Sequence, residues 1–351
     1  MRALFDVNHP AHVHLFRNAI DALEADGDDV LVTSREKEVT TDLLDAYGIE
    51  HVPLSTAGNG LGGLAREWGA REFRMLRAAR RFDPDVFVSR LNPAVVHAST
   101  LLRRPNIVFN DTDVKSATMD RIYSLATHAF VDVYCTPPGI PTPNARARHL
   151  TVDFQELAYL HPNWFTPDPD CLRAHGVDPD APYSVVRLAS WGAYHDVGYS
   201  GISPDARREL VDNLADHGRV YVSSEGPLPD DLEAHRLPVP PHLIHHLLAF
   251  ADLYVGDSGT MSSEAAILGT PAVRTNSMVA EDTESIFHEL GEYGLLFSFA
   301  DESAAVAKVE RLLDDLPPDA EWERRRARLL DDKQDVTGVM LGVIGETVRG
   351  R

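Results

Sequence analysis

Cysteine, lysine and long apolar runs are all scarce in this chain of 351 residues, and each scarcity excludes something. Cys135 and Cys171 are its only cysteines, so no disulfide framework holds the fold and a reducing compartment is expected. No apolar run approaches the ~18–20 residues that a membrane-crossing helix needs. The chain opens directly on the strand-like run Arg2-Ala-Leu-Phe-Asp, without the regions of a secretory signal, and a cytoplasmic location is expected. A Walker A lysine motif, a Gly-x-Ser-x-Gly elbow and paired cysteines are also missing. ATP-dependent phosphoryl transfer, hydrolase-elbow chemistry and zinc ribbons therefore drop out.

What is abundant is acid. Against 29 Arg and 4 Lys stand 34 Asp and 20 Glu, a net charge of −21. Such a surface repels polyanions, so nucleic acid is not expected as a partner. Its self-repulsion is tolerable where the Debye length is ~3 Å, as at 1 M salt. The composition reads as adaptation to a salty cytoplasm, with an ordinary acidic enzyme as the alternative.

At 44% hydrophobic residues the chain can bury a sizeable core, and its length suggests two domains. Short apolar runs at 3–7, 30–33, 51–54, 86–88, 107–109 and 129–133 read as strands. They alternate with amphipathic stretches at 13–25 and 39–47, the second stopped by Gly48. That cadence means βαβ units and a parallel sheet. A stretch rich in Pro and Asp, 161–182, breaks the pattern and reads as a linker. Alternation then resumes: strands at 183–187, 220–223, 253–255 and 272–274, helices at 205–217, 243–251 and 262–268. The expected organisation is an N-terminal Rossmann-like domain over 1–160 and a C-terminal one over 183–351, with the last helix packing back on the first. A ligand would sit between them, near strand C-termini.

The most informative segment is 253–274, LYVGDSGTMSSEAAILGTPAVR. A strand ends at a Gly256-Asp257 turn, and Ser258-Gly259-Thr260 leads into a helix. Free N–H groups and the helix dipole could receive a phosphate there, with Gly259 allowing close approach and Glu264 accepting from sugar hydroxyls. The plain alternative is capping by Ser258 or Thr260, with Glu264 a first-turn charge. Leu243 and Ile244 could flank a nucleobase.

The longer stretch HHLLAFADLYVGDSGTMSSEAAILGTPAVR resembles the donor-binding region of GT-B-fold proteins, in particular UDP-N-acetylglucosamine 2-epimerase. The resemblance implies Ser258, Gly259 and Thr260 on a diphosphate and Glu264 on a ribose. With the opening FDVNHPAHVHLFRNAIDAL and the segment VVRLASWGAYHDVGYSGIS, it extends to an uncharacterised GT-B-like family, domain of unknown function number 354. The implied fold is α/β and GT-B-like, with two Rossmann-like domains whose parallel sheets face a central cleft. The family supplies no settled activity.

Further candidates follow on that frame. In the first βα turn Asn8 and His9 would bind substrate. His12 would act as base or orient the sugar, since imidazole titrates near neutral pH. His14 reads as packing or exposed, and Pro10 fits the first helical turn. Arg187, Ser190, His195 and Asp196 cluster after the first strand of the second half; Arg187 or a protonated His195 could neutralise a leaving diphosphate, and Asp196 could hold His195. Asp111, at the end of a strand, is a candidate base. The epimerases carry Gly-Asp-Thr where this chain has Val88-Ser-Arg-Leu-Asn-Pro93, so one of their catalytic carboxylates is missing. Residues 61–82 hold six Arg and two Glu, with Arg74, Arg77 and Arg81 at helical spacing. They read either as a solvated face or as a dock for an anionic, lipid-linked acceptor at a membrane.

The reading is a metal-independent glycosyltransferase with no cofactor. It would take a nucleoside-diphosphate sugar, most simply a UDP-sugar, and use His12, Asp111 and His195 in catalysis on a glycan or lipid-linked acceptor. A sugar-nucleotide epimerase or hydrolase, or a non-catalytic sugar-nucleotide-binding protein, is the alternative. Adaptation to salt has a direct check: the melting temperature, followed by circular dichroism, is expected to fall on dialysis from molar to millimolar KCl. An unchanged value would identify an ordinary acidic protein.

Overall fold

The structure is a computed structural model that describes residues 1–36, 39–56, 60–111, 127–140, 144–189, 200–224, 226–281, 286–315 and 317–350, with backbone only at 56, 60–67 and 281. The chain divides into two compact units. One comprises 1–164 and 334–351, the other 165–333.

The first unit is built on seven parallel strands: β1 (Arg2–Val7), β2 (Asp29–Glu36), β3 (His51–Thr56), β4 (Val86–Arg90), β5 (Asn106–Phe109), β6 (Val133–Thr136) and β7 (Arg148–Thr151). Their order is β3-β2-β1-β4-β5-β6-β7. β1 is central, and Ala3, Leu4, Phe5 and Val7 are fully buried, as a strand covered on both faces requires. Helices α1 (Pro10–Ala25), α2 (Thr40–Ala46), α3 (Gly60–Phe82) and α4 (Pro93–Leu102) connect the first strands. Met75 and Ala79 of α3 pack with Ala94, Val95 and Ala98 of α4 on Leu4 and Phe87 of the sheet. α1 packs instead against the short helix Leu157–Leu160 and the C-terminal helix Val336–Arg349. Asn18 and Thr337 both donate to the Ala158 carbonyl, at 2.8 and 2.7 Å.

One expectation changes here, and one element is new. The strand expected at 129–133 is displaced to Val133–Thr136, because Phe130 and Val131 close turns onto Thr127 and His128. α4, unassigned from sequence, starts where Asn92 accepts the Ala94 N–H at 3.0 Å and Pro93 takes the first helical position.

The second unit holds β8 (Tyr183–Leu188), β9 (Arg219–Ser224), β10 (Leu253–Gly256), β11 (Ala272–Thr275) and β12 (Leu296–Phe299), all parallel, in the order β12-β11-β10-β8-β9. In each sheet the chain builds outward in two directions from one adjacent strand pair. That pair is β1 and β4 in the first unit and β8 and β10 in the second. The crevice outside the carboxyl ends of such a pair is where open α/β sheets take ligands.

At the end of β1 lies a fully buried carboxylate, Asp6. Its Oδ1 accepts Thr33 Oγ1 at 2.7 Å and Arg71 Nη2 at 2.6 Å; its Oδ2 accepts Asn8 Nδ2 at 2.8 Å and Asn92 Nδ2 at 2.5 Å. Arg71, itself buried, also donates to the Ser34 carbonyl and to Ser55 Oγ, each at 3.1 Å. Removing one partner of a buried pair strands the other charge. Arg71→Leu is therefore expected to cost about 3–5 kcal/mol of stability, read from urea unfolding. A loss under ~1 kcal/mol, the size of a surface pair, would contradict this account.

Candidate functional site

In the first unit the turn after β1 places Asn8, His9 and His12 beside the β1–β4 crevice. His9 is the N-cap of α1, its Nδ1 accepting the Ala11 N–H at 3.3 Å, and Pro10 occupies the first turn. His12 Nδ1 accepts the Asn8 N–H at 3.3 Å, and the His9 and His12 rings lie 5.9 Å apart. His14 is a packing residue, buried against Tyr159 and Tyr47. On the β4 side, Asn92 joins the Asp6 cluster while capping α4.

Asp111 is exposed, and a two-point fork from Arg90, the last residue of β4, engages both its oxygens. The same guanidinium donates to Gln155 Oε1 at 2.7 Å. Arg90 and Asn92 were not singled out from sequence. The repeated cap-then-proline pair, His9-Pro10 and Asn92-Pro93, was the signal that marks both turns.

In the second unit, Arg187 near the end of β8 donates to Ser223 Oγ at 2.8 Å. Strand register sets Ser223, Arg187, Gly256, Arg274 and Ser298 in one row across the sheet. Gly256 is required: a Cβ there would meet Arg187 Cβ and O at 2.9 Å. Arg274, also missed from sequence, is buried and lies 3.7 Å over the Phe287 ring. That ring tip comes within 2.9 Å of where a Gly259 Cβ would stand, so the open space at Gly259 accommodates Phe287.

The helix Gly259–Leu268 begins at Ser258, whose Oγ accepts the Met261 N–H at 3.5 Å. Thr260 is exposed, and its carbonyl accepts Ser263 Oγ. Glu264 is buried one turn in, with Oε1 3.1 Å from the equally buried His245 Nε2. His245 lies on the helix Ile244–Ala249, with Phe165 edge-on to its ring. Leu243 and Ile244 stand half-buried at the start of that helix.

Asp257 has a role that the sequence did not disclose. It is buried; Oδ1 accepts the Ala189 N–H at 2.6 Å and Oδ2 the Ile202 N–H at 3.3 Å. Asn276 holds the Asp257 carbonyl, while Ser277 exchanges hydrogen bonds with the Ser200 backbone. Both ends of the connection after β8 are thus tied to the turn after β10. Ser190, His195 and Asp196 lie outside the described residues.

The Arg-rich helix α3 is divided in function. Arg71 turns inward to Asp6 and Arg74 donates to the Leu54 carbonyl at 2.7 Å. Arg77, Arg80 and Arg81 face outward beside Phe73, which is 68% exposed. Among the described residues no helix is long and apolar enough to cross a membrane, and no cluster of His, Cys, Asp and Glu is disposed to hold a metal ion.

No family model and no curated protein matches the sequence. Solved structures do. UDP-GlcNAc 2-epimerase from Neisseria meningitidis, bound to UDP-GlcNAc, superposes with a TM-score of 0.63 at 13% identity, covering 100% of both chains. Glycosyltransferase VinC in complex with dTDP gives 0.62 at 17% identity, covering 99% of each chain. The Streptomyces glycosyltransferase SsfS6, complexed with thymidine diphosphate, gives 0.60 at 16% identity, again over 99% of each. The chain therefore has the GT-B-like fold, two parallel-sheet α/β units of seven and five strands.

The Asp257 contacts make a local test. Asp257→Ala strands two N–H donors, the Ala189 one part-buried and the Ile202 one buried, and an unsatisfied buried donor costs about 1–3 kcal/mol. Hydrogen exchange at the Ala189 and Ile202 amides is expected to accelerate at least tenfold in that variant. Protection equal to wild type would show that other groups hold the connection.

Proposed function

We propose that this protein is a glycosyltransferase that binds a nucleoside-diphosphate sugar and passes the sugar to a glycan or lipid-linked acceptor. The observation that carries the reading is the turn from β10 into the helix Gly259–Leu268. It lies at the strand pair where the second sheet changes direction, with N–H groups, Ser258 and Thr260 at the helix start and two arginines in the adjoining row. The diphosphate would rest on Ser258, Gly259 and Thr260. Phe287 would yield to admit it, and Arg187 would balance its charge. Glu264 would take the ribose hydroxyls, oriented by His245 as a metal-free hydrogen-bond partner. Fold likeness to proteins described with UDP-GlcNAc, dTDP and thymidine diphosphate supports this ligand class.

On the acceptor side, Asn8, His9 and His12 would contact the substrate, and Asp111 or His12 would remove the acceptor proton. Ser190 and His195 complete the proposed donor contacts. The exposed Phe73, Arg77, Arg80 and Arg81 would suit an acceptor held at an anionic membrane surface on the cytoplasmic side. The likeness to family number 354 of the unknown-function domains belongs to this reading too. Epimerisation is the second reading, supported by the epimerase fold likeness. Against it stands the missing carboxylate after β4, where Asn92 caps a helix instead.

The test is a thermal-shift screen of UDP-, GDP- and dTDP-sugars in molar KCl, with Glu264→Gln as control because glutamine keeps a hydrogen bond to His245. One nucleotide is expected to raise the melting temperature, and the variant to weaken its binding at least tenfold. No shift with any of the three, in folded protein, would overturn the donor-site reading. Release of nucleoside diphosphate only when acceptor is present identifies transfer; an altered sugar nucleotide without acceptor identifies epimerisation.

A further inference from the structure

Asp6, Asn8 and His12 form a chain that decides which nitrogen of the His12 ring carries the proton. Asp6 is buried and pinned by Thr33 and Arg71, and it accepts Asn8 Nδ2 at 2.8 Å. This holds the turn so that the Asn8 backbone N–H points at His12 Nδ1, 3.3 Å away. A ring nitrogen that accepts a hydrogen bond carries no proton, so the neutral imidazole is protonated on Nε2. A base acting through Nε2 would need its proton on Nδ1, and two N–H groups would then confront each other at that contact. His9 follows the same rule, its Nδ1 accepting the Ala11 N–H at 3.3 Å.

We propose that His12 serves as a hydrogen-bond donor, through Nε2–H, to an oxygen of the bound substrate, and not as the base. Asp6 and Asn8 are positioning residues that fix this tautomer. Proton removal then falls to another group, and Asp111 is the carboxylate among the first unit's candidates. The assignment of the tautomer stands on geometry alone; the identity of the substrate rests on the function proposed above.

Two arms test it on the full chain. In the first, protein with ¹⁵N-labelled imidazoles is examined by NMR at a pH where His12 is neutral, its signals identified by their loss in His12→Gln. Nδ1 is expected at the position of an unprotonated acceptor and Nε2 at that of an N–H, without averaging. In Asn8→Ala the two signals are expected to move toward each other as the tautomers interchange. A proton on Nδ1 in the wild type, or signals unmoved in Asn8→Ala, overturns the positioning chain.

In the second arm, kcat and KM for nucleoside-diphosphate release are compared among wild type, His12→Gln, His12→Asn and His12→Ala, using the sugar nucleotide retained by the thermal-shift screen together with the acceptor that triggers its release. Glutamine brings an amide N–H near the Nε2 position, and the shorter asparagine does not. Glutamine is expected to keep kcat within about tenfold, while Asn and Ala lose the ~10²–10³-fold of a missing oxyanion donor. Glutamine as inactive as alanine, at the ~10²–10⁴-fold of a lost general base, overturns the donor role. If no sugar nucleotide binds the wild type, the proposed function has failed, and the first arm still decides the tautomer.

Discussion

The contact between Asp6 and its four donors is the constraint on which the first unit depends. A carboxylate with no exposed surface, at the end of the central strand, would be prohibitive without compensation. Here every donor comes from a different piece of chain: β2, α3, the turn after β1 and the cap of α4. One buried group thereby fixes the separation of β1 and β4 at their carboxyl ends and the entry of two helices. It also fixes the turn that carries His9 and His12. Replacing the ion pair by apolar packing could serve stability equally well. It could not aim Asn8 and Asn92.

The second unit repeats the device with different partners. Asp257 stands at the end of β10 as Asp6 stands at the end of β1, each beside the strand pair from which its sheet grows in both directions. Asp6 reaches side-chain amides, whereas Asp257 takes backbone N–H groups at the two ends of the connection after β8. In both, a buried aspartate ties together the turns that flank the crevice. Ligand-binding turns must be polar and yet hold one geometry, and a charged acceptor with several short bonds supplies that rigidity.

This arrangement explains what the sequence disclosed and what it concealed. Strands such as 3–7 and 253–255 were legible because both faces of a central parallel strand are apolar. The polar edge strand Arg148–Thr151 gave no such signal, and the apolar run near 130 divided between a turn and a strand. The helix after Ser258 was legible from its turn chemistry. Its Glu264 was visible as a carboxylate one turn in, but the partner His245 lies on another helix, and no local pattern joins them. Arg71 was hidden differently. In a run of arginines it looked like its neighbours, and only the path of α3 over the sheet turns it toward Asp6.

The preference for arginine over lysine also gains a structural meaning. Arg71, Arg187 and Arg274 each work at or below the surface, where a planar, weakly hydrated guanidinium can hold several acceptors or lie flat on a ring. Arg2, Arg17, Arg325 and Arg328 likewise cover the faces of Phe82, Tyr47, Trp322 and Tyr293. A lysine ammonium has neither the fork nor the flat face. Two electrostatic regimes therefore coexist in one chain. The exposed acidic excess is screened by dissolved salt, while the Asp6 and Asp257 contacts, removed from solvent, are screened far less. Geometry at the candidate site is thereby less sensitive to dissolved salt than contacts among exposed charges are.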